Sequence, residues 1–160
     1  MITVQVEKLV DCLEELKPLF QPHWRELALN QEQVPLDPKY EWYLQMDLTG
    51  RVLCVVARER GHIVGYFIGF IDTHHHYRST LHLTEDIFWL HPDFRDKDSL
   101  TMLEGDMLAQ ALFERVKLEA VTRGVKRAYL GSKVHRSAQE MFRQMGGVEA
   151  DLYFSFWWGG

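Results

Sequence analysis

The stretch from Glu85 to Gly147 constrains this chain more than any other. Glu85-Asp86-Ile87-Phe88-Trp89-Leu90 reads as a buried strand, His91-Pro92-Asp93-Phe94-Arg95 as a turn, and the residues beyond as a long amphipathic helix. A short strand and a second helix ending at Gly146-Gly147 complete it. Strand, cationic turn and helix N-terminus in succession leave backbone N–H groups without helical partners, and such groups favour an anion.

The flanking residues extend this core into one mixed domain over 1–160. Ile2 to Val6 alternates as a first strand, and Leu9, Val10, Leu13, Leu16 and Leu19 mark a helix over Lys8 to Phe20. Pro22 predicts the opening of a second helix through Leu29, and Tyr40 to Leu48 a short third. Val52 to Ala57 and Ile63 to Ile71 pair as a hairpin across Glu59-Arg60-Gly61-His62. Gly65 and Gly69 predict a bulge or close backbone approach within it. Thr73 to Thr80 reads as a histidine-rich connection and Leu81 to Leu90 as the next strand. Thr101-Met102-Leu103-Glu104 matches a capping box. Leu108, Ala111, Leu112, Val116 and Ala120 stripe the helix that follows, which Gly124 stops. Ala128 to Leu130 is a short strand, Ser137 to Met145 a helix, and Asp151 to Trp158 alternates as a last strand.

A chain of 160 residues with 46% hydrophobic and 26% charged residues is long enough for a self-sufficient core. Its net charge of −5 argues against broad capture of nucleic acid or of an anionic membrane. The longest uncharged apolar run, Ile63 to Ile71, is about half a membrane span. Two cysteines, Cys12 and Cys54, make neither a disulfide framework nor a zinc site. With no signal-like N-terminus, a cytoplasmic setting is the expectation.

The order of elements, together with four local patterns, resembles the GNAT superfamily of N-acetyltransferases. The patterns are the hairpin Ala57 to Tyr66, the strand and turn Asp86 to Arg95, the helix end Thr122-Arg123-Gly124-Val125-Lys126-Arg127, and His135-Arg136-Ser137-Ala138 with Phe142 and Gly146. The resemblance implies an α/β (α+β) domain with a mixed, mostly antiparallel sheet flanked by helices. It also implies acetyl-CoA as co-substrate, entering a splay between central strands. The acetyl group would pass to a primary amine on a small molecule or peptide by direct attack in a ternary complex.

Carried over residue by residue, the resemblance places the cofactor on Trp89, Leu90, His91, Arg95, Lys97, Ser99, Leu100, His135, Ala138 and Phe142. The phosphate turn has two registers. One sets Arg95, Asp98 and Leu100 at its key positions, without the usual glycines; the other reaches Gly105 across an insertion. Glu85 stands near the family's general base, and burial beside apolar neighbours would raise its pKa into a useful range. Phe142 replaces the usual tyrosine acid, which leaves Tyr153 or Tyr129 as a substitute.

Three adjacent histidines, His74-His75-His76, do not share a face, so no metal is expected there. His74, His76 and Tyr77 are instead candidates to line the acceptor side of the cleft. Trp157-Trp158 makes an apolar C-terminus that a homodimer interface or the chain itself would cover. The glycine-poor turn and Phe142 leave open a second reading, a GNAT-like binding or assembly protein without catalysis, of the kind found among bacteriophage proteins.

Overall fold

The computed structural model describes residues 1–95, 107–134, 137–156 and 158. The elements run β1 (Ile2–Glu7), α1 (Leu9–Leu27), α2 (Tyr40–Leu48), β2 (Val52–Glu59), β3 (His62–His74), β4 (Tyr77–Leu90), a 3-10 turn (Pro92–Phe94), α3 (Met107–Thr122), β5 (Arg127–Tyr129) and α4 (Gln139–Gln144). The sheet order is β1-β2-β3-β4-β5, antiparallel except for the parallel pair β4-β5.

The unbroken apolar run of β2 follows from its central place. Leu53, Val55 and Ala57 face a core shared with α3, while Val52, Cys54 and Val56 face α1. Helix α3 buries Ala109, Leu112, Phe113, Val116 and Ala120, and Gly124 at φ +86° turns the chain out of it. The other face of the sheet carries α1 and α2. Helix α1 runs through both Pro18 and Pro22 instead of breaking at Pro22. Its buried stripe (Leu9, Cys12, Leu13, Leu16, Phe20, His23, Leu27) continues past both prolines, and packing of that stripe outweighs the lost backbone bonds.

Two further expectations give way. The histidine-rich connection is strand almost to its tip: His74 pairs with Tyr77, leaving a turn at His75-His76. Ladder bonds come from the backbone, so polar composition does not prevent pairing. Residues 151–156 lie outside any strand, with Leu152, Tyr153, Phe154 and Phe156 exposed. Alternation alone does not make a strand: β5 is an edge of the sheet, and among the described residues the tail does not pair with it. The capping box falls outside the described residues.

The glycine signal in β3 has a direct cause. A Cβ at Gly65 would lie 2.2 Å from Leu90 Cδ2, and one at Gly69 would lie 2.9 Å from Leu83 Cδ1. Pairing steps from Ile68↔Ile87 to Gly69↔Glu85, so Asp86 is the extra residue of a β-bulge.

Candidate active site

The parallel pair β4-β5 is short. His82, Leu83 and Thr84 face Arg127, Ala128 and Tyr129, after which β4 continues to Leu90 without β5. The His91 N–H donates to Val64 C=O at 2.8 Å, which makes Gly65↔Leu90 a non-hydrogen-bonded pair. The N–H and C=O of Leu90 therefore point away from β3, into the gap where β5 has left, and those of Phe88 share that direction. Among the described residues no strand pairs with this edge, and Arg95 takes up the Leu90 carbonyl.

The bulge lies where the two strands part, and it switches the facing of the strand. Leu83 precedes it on the α3 side, and Phe88 and Leu90 follow on that same side. Ile87 and Trp89 pack towards α1 and α2. Asp86 also turns to α2 and accepts from the Tyr43 hydroxyl at 2.5 Å. Burial raises the Asp86 pKa while the Tyr43 bond opposes it.

Glu85, half-buried, turns instead to the segment after β5. The Gly131 N–H donates to Glu85 Oε2 at 3.1 Å. Burial lifts the carboxyl to about 7, against the Gly131 bond and the Lys133 charge, with Asp86 adding a further upward push. A carboxyl in this range is half ionised at neutral pH and exchanges protons readily in both directions.

Arg95 departs from its expected part as a phosphate contact. Its guanidinium grips Glu26 of α1 through two bonds, Nη1 to Oε1 at 2.5 Å and Nη2 to Oε2 at 2.8 Å. The Nε group also donates to the Leu90 carbonyl at 2.7 Å. Trp89 Nε1 donates to Glu26 Oε2 at 3.1 Å, and the side chains of Arg95 and Glu26 are 10% and 14% exposed. A guanidinium so enclosed is a structural clasp between α1 and the end of β4, with little charge left for a ligand. Beside it, His23 Nδ1 lies 2.7 Å from the Tyr66 hydroxyl, and burial lowers the His23 pKa to about 4.

The remaining candidates divide sharply. Trp89, Leu90 and Ala138 are buried, and Ala138 N–H donates to Ser132 Oγ at 2.8 Å. Phe142 meets Phe113 edge-on at 5.3 Å, a packing contact. His91 Nδ1 accepts from Asp93 N–H and orders the turn. Lys97, Ser99, Leu100, Gly105 and His135, with Asp98, lie outside the described residues. Tyr153 is 88% exposed on the tail, and among the described residues it makes no hydrogen bond or ring contact. His74, His76 and Tyr77 are not brought to Glu85: eight strand positions separate Tyr77 from it, roughly 26 Å. Glu26, Tyr43, Gly131 and Lys133, which shape the site, carry no local signal in the sequence.

Among the described residues, no three His, Cys, Asp or Glu side chains are grouped to hold a metal ion, and no helix is long and apolar enough to cross a membrane. No family model matches the sequence, and no curated protein matches it either. Solved structures do match. A GCN5-related N-acetyltransferase from Ralstonia eutropha superposes with a TM-score of 0.74 at 18% identity, over 99% of this chain and 100% of the other. A ribosomal-protein-alanine N-acetyltransferase from Brucella melitensis biovar Abortus gives 0.71 at 17%, over 100% and 99%. A predicted acetyltransferase with acetyl-CoA from Clostridium acetobutylicum gives 0.70 at 10%, over 98% and 96%. The chain has the fold of the GNAT N-acetyltransferases.

Proposed function

We propose that this protein is an acyltransferase that moves an acetyl group from acetyl-CoA to a primary amine, on a small molecule or peptide, in the cytoplasm. The observation that carries the reading is Glu85, a carboxyl held near neutrality where β4 and β5 part. The backbone groups of Phe88 and the N–H of Leu90, which β5 does not pair, suit the amide-bearing arm of coenzyme A, which pairs as a strand would. The neighbour solved with acetyl-CoA has the same fold, which supports the same co-substrate.

In this reading the acceptor arrives as an ammonium and gives a proton to the Glu85 carboxylate. The neutral amine attacks the thioester carbonyl carbon, the C–N bond forms, the C–S bond breaks with departure of the thiolate, and the nitrogen releases its second proton to water to leave the neutral amide. The proton held by Glu85 is the one the thiolate needs, so one carboxyl serves as base and then acid. With Phe142 packed on Phe113 and Tyr153 out on the tail, that economy removes the need for a tyrosine donor.

The enclosure of Arg95 favours a second reading, in which the fold is kept as a binding or assembly module without turnover. Thermal unfolding with acetyl-CoA separates the two. A ligand at a hundred times its Kd adds about 2.7 kcal/mol of stability. No shift at millimolar acetyl-CoA would overturn the transferase reading. With a shift in hand, thiol release across a panel of amines finds the acceptor, and Glu85→Gln is expected to lower kcat by about 10² to 10⁴.

A further inference from the structure

The histidine run and Tyr77 border a second site, at the Tyr77 end of β4, with its nearest lining residue His82 three strand positions before Glu85. A concavity of about 240 Å³ lies there, lined by Tyr77, Thr80, His82, Lys126 and Arg127. Its floor is His82, which is 5% exposed and set between the rings of His74 (6.0 Å), Tyr77 (6.0 Å) and Tyr129 (5.6 Å). The parallel pairing of His82 with Arg127 fixes the two across from each other. The Lys126 N–H donates to Leu81 C=O at 3.0 Å and ties down the neighbouring cation.

The lining contains no carboxylate. Among the described residues, neither Lys126 nor Arg127 forms an ion pair, although acids exceed bases 23 to 18 in the sequence. Arg127 Nη1 donates to the Tyr129 hydroxyl at 3.3 Å, and the rest of its fork remains to be engaged. An acidic chain that gathers two cations, an imidazole and two hydroxyls in one concavity has assembled donors in excess of acceptors there. That donor set matches a phosphate group: a planar fork, a point charge and neutral O–H donors. The volume falls below the roughly 300 Å³ at which sites for drug-sized ligands begin, which points to a small ligand.

We propose that the concavity between the start of β4 and β5 binds a small phosphate-bearing anion. The site is separate from the acyl-transfer centre and does not depend on that reading. The test is a titration of the full chain with inorganic phosphate, followed by amide NMR at pH 7 with ionic strength held constant by sodium chloride. Saturable shifts are expected over residues 77–82 and 126–129. The K126A/R127A double variant should weaken them by about tenfold or more, since both charge-assisted contacts go. Both side chains are exposed, and the variant's own spectrum reports its fold. Glu85→Gln should leave phosphate affinity unchanged. Shifts that never saturate, that map to residues 88–95, or that persist in the double variant would each overturn the proposal.

Discussion

Arg95 and Arg127 stand near opposite ends of the β4 neighbourhood and have opposite fates. Arg95 is closed in by Glu26, by the Leu90 carbonyl and by the Trp89 face, 5.7 Å from its guanidinium carbon. Arg127 is exposed and donates to one phenol. The turn position that attracts attention as an anion contact holds the fold together, while an inconspicuous short strand carries the available charge. Burial decides whether a cation becomes structure or surface, because desolvation is tolerated only with a partner in place.

The contrast breaks first at the clasp. Glu26→Ala takes the carboxylate from the enclosed Arg95, and Arg95→Ala removes the guanidinium from the enclosed Glu26; each should cost about 3–5 kcal/mol in urea unfolding. The double variant should cost less than the sum of the two, because the orphaned charge is gone. If Arg95→Ala costs as little as a surface change, the two ends of β4 do not differ as described.

Glu85→Gln changes how stability depends on pH. The folded-state pKa of about 7 lies above the ordinary carboxyl value of 4.5. The natural chain thus loses stability as pH rises from 4.5 through 7, reaching a cost of roughly 3 kcal/mol above that range. The Gln variant should be the more stable at pH 8 and equal at pH 4, by urea midpoints at the two pH values. A variant equally destabilised at both would show that Glu85 is not strained when ionised.

Gly69→Ala tests the bulge between the two ends. Its Cβ would meet Leu83 Cδ1 and Phe67 Cε1, each at 2.9 Å, so an overpacking loss of about 1–3 kcal/mol is expected by thermal unfolding. The smallest effect belongs to Arg127→Ala, expected to stay within about 0.5 kcal/mol of the natural chain by the same measurement.

Much of the architecture is written locally. Tyr40 to Leu48 is a helix with the boundaries its residues suggest, and the β2-β3 hairpin and the stop at Gly124 follow from periodicity and turn chemistry. The misreadings share a cause. Pro22 argues locally for a helix start, yet the buried stripe of α1 runs past it. The histidine run reads as a loop, yet its backbone completes a ladder. The tail from Asp151 alternates like a strand, yet among the described residues it pairs with no edge of the sheet.

At the site, the position of Glu85 and the upward direction of its pKa are readable from its place beside Phe88 and Trp89, but the extent of the shift is not. Burial raises the pKa, and Gly131 and Lys133, which only the fold brings near, pull it back. Sequence alone located most of the elements in order, because apolar spacing, glycine and turn residues act over a few neighbours. Tertiary structure decided which charges are enclosed and where β4 and β5 separate. Arg95 meets Glu26 across 69 residues of chain, and contacts at that range depend on how whole faces pack.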